Sequence, residues 1–330
     1  MRNTKIIVVI FAMIAGCALP FFVPNYVIYL INLSAISIIG AIGLNILTGY
    51  TGLIAMGQGA FMGVGAYTAA ILYTKVNAPF WITLPAAGGM AAVIGVFFGT
   101  PSLRLRGFYL AMSTLAAQVL LEYVFKNWES LTNGVAGISI NPPSLLGISL
   151  QGDRPFYFLT LSLAIVGIII GRNLFRTDTG RAFIGIRDRD IAANIVGIDI
   201  LKYKLISFAI SSFYAGIAGA LLGYYMTIIN PEGYGISVSI DYIAMIIIGG
   251  LGSIWGSVLG AVFVVIFPEV VDHGIQLITK FIALDYTFAA IRQIVFGLLI
   301  ILFLLFEPRG LAAIMDKLVQ KIRTLFIKWA

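Results

Sequence analysis

The sequence predicts an all-α, polytopic bundle of about ten transmembrane helices, with both chain ends on the cytoplasmic side. Three observations carry that prediction. First, 60% of the 330 residues are hydrophobic and only 11% charged, for a mean hydropathy of +1.01; a soluble domain carries roughly a quarter charged residues. Second, the apolar residues form continuous runs near the ~20 residues that cross a hydrocarbon core, not the alternation of a β-barrel. Lipid offers no partner to a backbone N–H or C=O, so such runs must be helices. Third, the basic residues segregate to one side of the bundle.

The runs fall at about 6–23, 27–47, 52–74, 81–99, 108–125, 156–171, 205–229, 241–251, 254–271 and 291–306. With the N-terminus inside, sixteen of the 21 basic residues are cytoplasmic, and only Lys75, Lys126, Arg154, Lys280 and Arg292 lie outside. Lys and Arg excess in short loops sets orientation, so the net charge of +7 needs no nucleic-acid partner. No hydrophilic domain interrupts the pattern, and residues 1–330 read as a single transmembrane domain.

The first run contains Cys17, the single cysteine, in Ile14-Ala15-Gly16-Cys17, which is similar to a lipoprotein processing box. Nine further runs follow, so an uncleaved first helix is expected. Glycines crowd residues 49–65, a density that breaks a helix; exposed backbone at membrane depth is tolerated only against protein or a water-filled cavity. The pairs Gly59/Gly63, Gly95/Gly99, Gly219/Gly223 and the set Gly252/Gly256/Gly260 have the spacing that lets helix backbones approach in lipid. Run 241–251 is too short to span at 1.5 Å per residue. With the next run it forms either two tilted crossings or a re-entrant pair broken at 249–252.

Two segments leave the membrane. The external loop 126–155 is rich in Gly, Pro, Asn and Ser, which mark turns, and reads as a lid or as a docking site for an external partner. The cytoplasmic loop 172–204 holds seven Lys/Arg and four Asp. Thr177, Asp178 and Thr179 offer N-cap oxygens. Ile184, Ile191, Ile195 and Ile198 fall on one helical face, and Gly197 is a stop signal. Short amphipathic helices are expected, suited to a protein groove. The remaining charged segment is the cytoplasmic tail, 307–330.

Catalytic chemistry is nearly absent. His273 lacks the cluster that a metal site needs. No P-loop occurs, and Met62 occupies the third glycine position of a dinucleotide fingerprint. No cofactor and no metal are expected. Buried ionisable groups of an ion-coupled carrier are missing too, since Glu122, Asp241 and Arg292 sit near helix ends. The energy source therefore lies outside the chain. Of the neutral polar residues within the runs, Asn45, Tyr50 and Gln58 flank the glycine-rich break and are the candidates for a translocation pathway.

Ala192-Ala193 followed by three residues and Gly197 resembles the Glu-Ala-Ala-x-x-x-Gly loop of ABC importer permeases, with Ile191 at the Glu position and Asp190 one place earlier. Residues 43–70, Gly-Leu-Asn-Ile-Leu-Thr-Gly-Tyr-Thr-Gly-Leu-Ile-Ala-Met-Gly-Gln and onward, resemble LivM-type permeases of branched-chain amino acid importers. So do Arg104-Leu-Arg-Gly-Phe-Tyr, Asn127-Trp-Glu-Ser-Leu-Thr-Asn-Gly, Ile248-Gly-Gly-Leu-Gly-Ser-Ile-Trp-Gly and Phe306-Glu-Pro-Arg-Gly-Leu. The likeness spans roughly 35–312; Gln58 departs from it, where many members carry His. It implies the type II ABC importer permease fold, no catalysis in this chain, a LivH-like sister permease, two ABC ATPase subunits and an extracytoplasmic substrate-binding protein, in a bacterial or archaeal inner membrane. It also implies ATPase coupling through Arg181, Arg187, Asp188, Asp190, Ala192, Ala193 and Gly197, with the contacting carboxylate left open. Urea and amide importers share the architecture, so the substrate stays open between Leu/Ile/Val, urea or amides, and other amino acids. A stand-alone channel or ion-coupled carrier is the competing class.

Overall fold

The computed structural model describes residues 19–103, 107–145, 148–279, 297–298, 301–302, 305 and 310–315. Most of the first run with Cys17, Arg104 and Arg106, Lys280, Arg292, most of the last run, most of the 307–330 tail and the His273 side chain lie outside the described residues.

Helix α1 (Asn25–Asn45) follows Pro24 and continues through a π-helical turn, Ile46–Tyr50. After an irregular stretch come α2 (Gln58–Lys75), α3 (Phe80–Ser102) and α4 (Phe108–Asn127). A short α5 (Glu129–Thr132) precedes α6 (Asp153–Leu174). The 172–204 connector holds α7 (Asp178–Asp188) and α8 (Asp190–Ile195), and the chain then runs through α9 (Ile200–Met226), α10 (Ile236–Gly249) and α11 (Ile254–Thr279). Among the described residues, seven helices are long and apolar enough to cross a membrane. This is a multi-pass helical membrane protein.

Two boundaries differ from the hydrophobic runs. The run at 52–74 starts as a helix only at Gln58, because residues 52–57 are irregular. Glycine and polar side chains dilute α2, which stays outside the seven and packs against α3 and α9. The run at 241–251 is the end of a longer helix: Ser237, Ser239 and Asp241 interrupt the apolar pattern but lie within α10, behind a 3-10 turn at Pro231–Tyr234. Residues 231–249 and 254–272 each have the length and hydropathy of a crossing.

The core centres on α1 and α9. α9 packs on α1, α2 and α3; α1 also packs on α6 and α11; and α10 pairs with α11. Small residues set these distances. A Cβ on Gly216 of α9 would lie 2.5 Å from the Ala91 Cβ of α3, and one on Gly256 of α11 would lie 2.7 Å from the Gly249 carbonyl oxygen of α10. With little hydrophobic drive between helices in lipid, such close backbone packing is what holds them together.

Turnarounds gather at two ends. At one end meet the α1–α2 break, the α10–α11 turn and the 172–204 connector. At the other, Lys75 Nζ donates to the Ser130 carbonyl (2.7 Å), Asn32 Nδ2 donates to the Asp153 carbonyl (2.9 Å) and the Tyr26 hydroxyl donates to Glu269. The 126–155 loop is built rather than structureless. Its strand β1 (Ile138–Ser139) pairs antiparallel with β4 (Ile228–Ile229), Ile138 opposite Ile229, and β2 (Ser144–Leu145) pairs with β3 (Ile148–Ser149). Its backbone groups find partners that turn residues alone do not reveal.

Candidate coupling site

The 172–204 connector owes its shape to local caps. Thr177, extended at φ −88° and ψ 166°, accepts from the Gly180 N–H at 3.4 Å. The Arg181–Asp178 pair (2.5 Å) is solvent-exposed on both sides, and such pairs contribute ~0–1 kcal/mol. α7 buries Ala182, Phe183 and Ile186, and the Phe183 ring meets Tyr203 of α9 edge-on.

Arg189, at φ −155° and ψ 97°, ends α7 and reorients the chain into α8. The single apolar face expected from Ile184 through Ile198 is therefore split. Ile184 and Ile198 are half-buried, whereas Ile191 and Ile195 are 70% and 82% exposed, and Val196 beside them is equally open. α8 closes in a Schellman motif: Ile198 N–H bonds the Ala193 carbonyl (3.0 Å), Gly197 N–H bonds the Asn194 carbonyl (3.0 Å), and Gly197 takes φ +92°. Asp199 then caps α9, accepting from Lys202 N–H at 3.1 Å. The result is an ordered tip that presents apolar side chains. Ala192 shares its exposed side, Ala193 is buried behind it, and Asp190 begins α8 half-buried.

Arg187 turns the other way. Its Nη1 donates to the Gly49 carbonyl in the π turn at 2.8 Å, and its Nε donates to Asp188 Oδ1 at 3.1 Å. A Cβ on Gly252 would lie 2.8 Å from Nη1, and one on Gly52 would lie 3.1 Å from the Arg187 Cγ. Both glycines have positive φ, +74° and +76°, which other residues adopt at a cost. Tyr50 stacks on Phe175 at the start of the connector, with ring centroids 3.5 Å apart.

Asn45 lies inside the same junction. It accepts from the Gly252 N–H (2.9 Å) and donates to the Ser253 carbonyl (2.8 Å) and to Ser257 Oγ (2.7 Å). Thus Asn45, Tyr50 and Arg187 come together around the end of α1. Gln58 does not join them: it starts α2, and its Nε2 donates to the Gly40 carbonyl of α1 at 3.0 Å. Asn45 and Gln58 are both buried within this chain.

The buried start of α2 has unpaired N–H groups by construction. Other helices supply the acceptors. Met56 N–H reaches Thr114 Oγ1 (2.9 Å), Gly59 N–H reaches Ser239 Oγ (2.8 Å) and Ala60 N–H reaches Gln118 Oε1 (2.6 Å). Gln118 Nε2 in turn donates to the Tyr234 carbonyl at 2.8 Å. Ser239 and Ser257 were not among the residues singled out from sequence, their one signal being a hydroxyl in an apolar helix; Ser253, in the turn before α11, meets Asn45 through its backbone carbonyl.

A model of the family described as "Branched-chain amino acid transport system / permease component" matches residues 26–304. The chain is 30% identical to the high-affinity branched-chain amino acid transport system permease protein LivM of Escherichia coli, over 91% of this chain and 73% of that protein. It is 26% identical to the probable branched-chain amino acid transport permease protein LivM of Methanocaldococcus jannaschii, over 66% and 64% of the two chains. It is also 21% identical to the ribose import permease protein RbsC of Haemophilus influenzae, over 80% and 82%. No solved structure matches. The family match takes in the broken α1–α2 pair, the capped connector and the α10–α11 turn together, and the chain belongs to the branched-chain amino acid transport permease family.

Proposed function

We propose that this chain is the membrane-spanning permease subunit of an ATP-driven importer for branched-chain amino acids, located in the inner membrane with both ends cytoplasmic. It forms half of a translocation pathway of the type II ABC importer class. Its partners are a LivH-like sister permease, two ATPase subunits and an extracytoplasmic substrate-binding protein, and ATP is hydrolysed in the ATPases. The observation that carries this reading is the connector: a charged segment folded by three caps, whose tip exposes Ile191, Ile195 and Val196. An apolar tip held in fixed shape suits a groove on a soluble partner. The proposed contacts are Arg181, Asp188, Asp190 and Ala192 around that tip, with Ala193 and Gly197 shaping it. Asn45, Tyr50 and Gln58 flank the α1–α2 break, which we take as the moving part of the pathway.

The function is tested by uptake into proteoliposomes. With all partners present, leucine uptake is expected to require ATP and to be competed by isoleucine and valine. Competition by urea instead would move the substrate class, and uptake by this chain alone would make it a carrier. The docking surface is tested separately: Ile195→Asp is expected to cut ATPase copurification by at least about tenfold, as removal of a central interface anchor does. An unchanged yield would remove α8 from the interface.

A further inference from the structure

Resting on that permease reading, we propose that Arg187 is a positioning residue that transmits movement of the connector to both glycine breaks of the membrane helices. The helix formed by α1 and its π turn ends at Tyr50, where the helix dipole is negative and the last carbonyls need donors from outside the helical ladder; Thr51 Oγ1 donates to the Ile46 carbonyl at 3.0 Å and Leu53 N–H to the Leu47 carbonyl at 3.1 Å. Arg187 supplies a cation there from another element, donating to the Gly49 carbonyl at 2.8 Å. The guanidinium is planar and has several donors in a fixed fork; Nε is occupied by Asp188, which fixes the plane of the group over the turn.

The surrounding backbone is built to receive it. A Cβ on Gly252 would crowd both Nη1 and the Gly49 carbonyl, and one on Gly52 would crowd the Arg187 Cγ. Gly252 is joined to α1 through its N–H on Asn45 Oδ1. One side chain therefore touches three elements: the end of α7, the π turn after α1 and the turn between α10 and α11. The exposed tip residues begin four positions later, at Ile191. Arg187 gives force applied to α8 a direct polar route to the two breaks, whereas the α7 side chains buried beside it, Ala182, Phe183 and Ile186, are apolar.

The test uses the complete transporter in proteoliposomes, with leucine uptake and ATP hydrolysis read on the same vesicles. Arg187→Ala is expected to keep ATPase copurification and basal hydrolysis while lowering uptake per ATP by about tenfold, the size of a lost coupling interaction. Arg187→Lys restores a single donor and is expected to recover part of the ratio. Gly252→Ala, which fills the socket while keeping the arginine, is expected to uncouple like Arg187→Ala. An unchanged ratio in Arg187→Ala overturns the proposal. So does loss of copurified ATPase in that variant, which would make Arg187 a docking contact. If both Arg187→Ala and Gly252→Ala fail to give a monodisperse complex, the role is structural and the proposal fails. A second readout does not depend on transport: a spin label on Asn194→Cys, exposed on α8, in a Cys17→Ser background, is expected to gain mobility when Arg187 is replaced by alanine. No gain removes the pin. Absence of leucine uptake by the unmodified complex, with the label still responding, would overturn the functional reading and leave the pin standing.

Discussion

Replacing Gly219 with valine is expected to abolish recovery of the folded chain. Gly219 lies on α9 where it crosses α2, and a Cβ there would fall 2.5 Å from the Met62 carbonyl carbon and 2.7 Å from its Cα. The obstacle is backbone, so no rotamer change relieves it. The two helices would have to part, and Gly65, which meets Gly216 backbone on the same face, would lose its contacts as well. Overpacking costs about 1–3 kcal/mol even where side chains can adjust, and dispersion falls away steeply once packed surfaces separate. A loss above about 3 kcal/mol lowers the folded-to-unfolded ratio more than about a hundredfold. Gly89 on α3, where an added Cβ meets nothing within 4 Å, is the control: Gly89→Val is expected to behave as the unmodified chain. Fluorescence-detected size exclusion of fusion proteins reads both. A monodisperse Gly219→Val peak at normal yield would show that α2 and α9 are not held at this distance.

The second large effect is expected at Asn45. Alanine there removes three hydrogen bonds and leaves the Gly252 N–H without its partner, while the Ser253 carbonyl keeps the Ser257 N–H and hydroxyl. A buried orphan costs about 1–3 kcal/mol, tempered in membranes because the unpacked chain also finds partners. Together these predict a loss of about 2–4 kcal/mol and a fall of about 5–10 °C in Tm for a chain of this size. Ser257→Ala, which deletes the bond from Asn45 Nδ2 and a longer one to the Ser253 carbonyl but leaves Asn45 on the Gly252 N–H, is expected to fall by less. The comparison also decides what Asn45 does. A residue that lines the pathway would alter the KM for uptake and spare Tm; one that locks helices together would lower Tm first. An unchanged Tm in Asn45→Ala would sink the locking role.

The helices were legible because apolar runs in lipid have one structural solution. The run at 108–125 became a helix over Phe108–Asn127, and Thr177 was readable as a cap from its place before an amphipathic stretch. What sequence did not reveal is long-range pairing. Nothing near Asn45 announces that its partners are Ser253 and Ser257, and nothing near Ile138 announces Ile229. Polarity within a run was informative in kind but misleading in position: Ser239 looked like the edge of a hydrophobic segment, yet it sits inside α10 with its hydroxyl capping α2. In the connector, spacing along a continuous helix placed four isoleucines together, and one extended residue, Arg189, undid that grouping. Arg187 was singled out through the likeness of its loop to permease coupling loops; that its guanidinium reaches the Gly49 carbonyl became visible only from the fold.

The central place of α9 has a consequence for biogenesis. α1, α2 and α3 all lean on a helix that begins only at Ile200, about a hundred residues after α3 has been made. At ribosomal speeds of ~5–20 residues per second, the glycine-notched surfaces of those first helices wait ~5–20 s in the bilayer for the partner that covers them. The order of emergence thus places the middle of the molecule late in the queue.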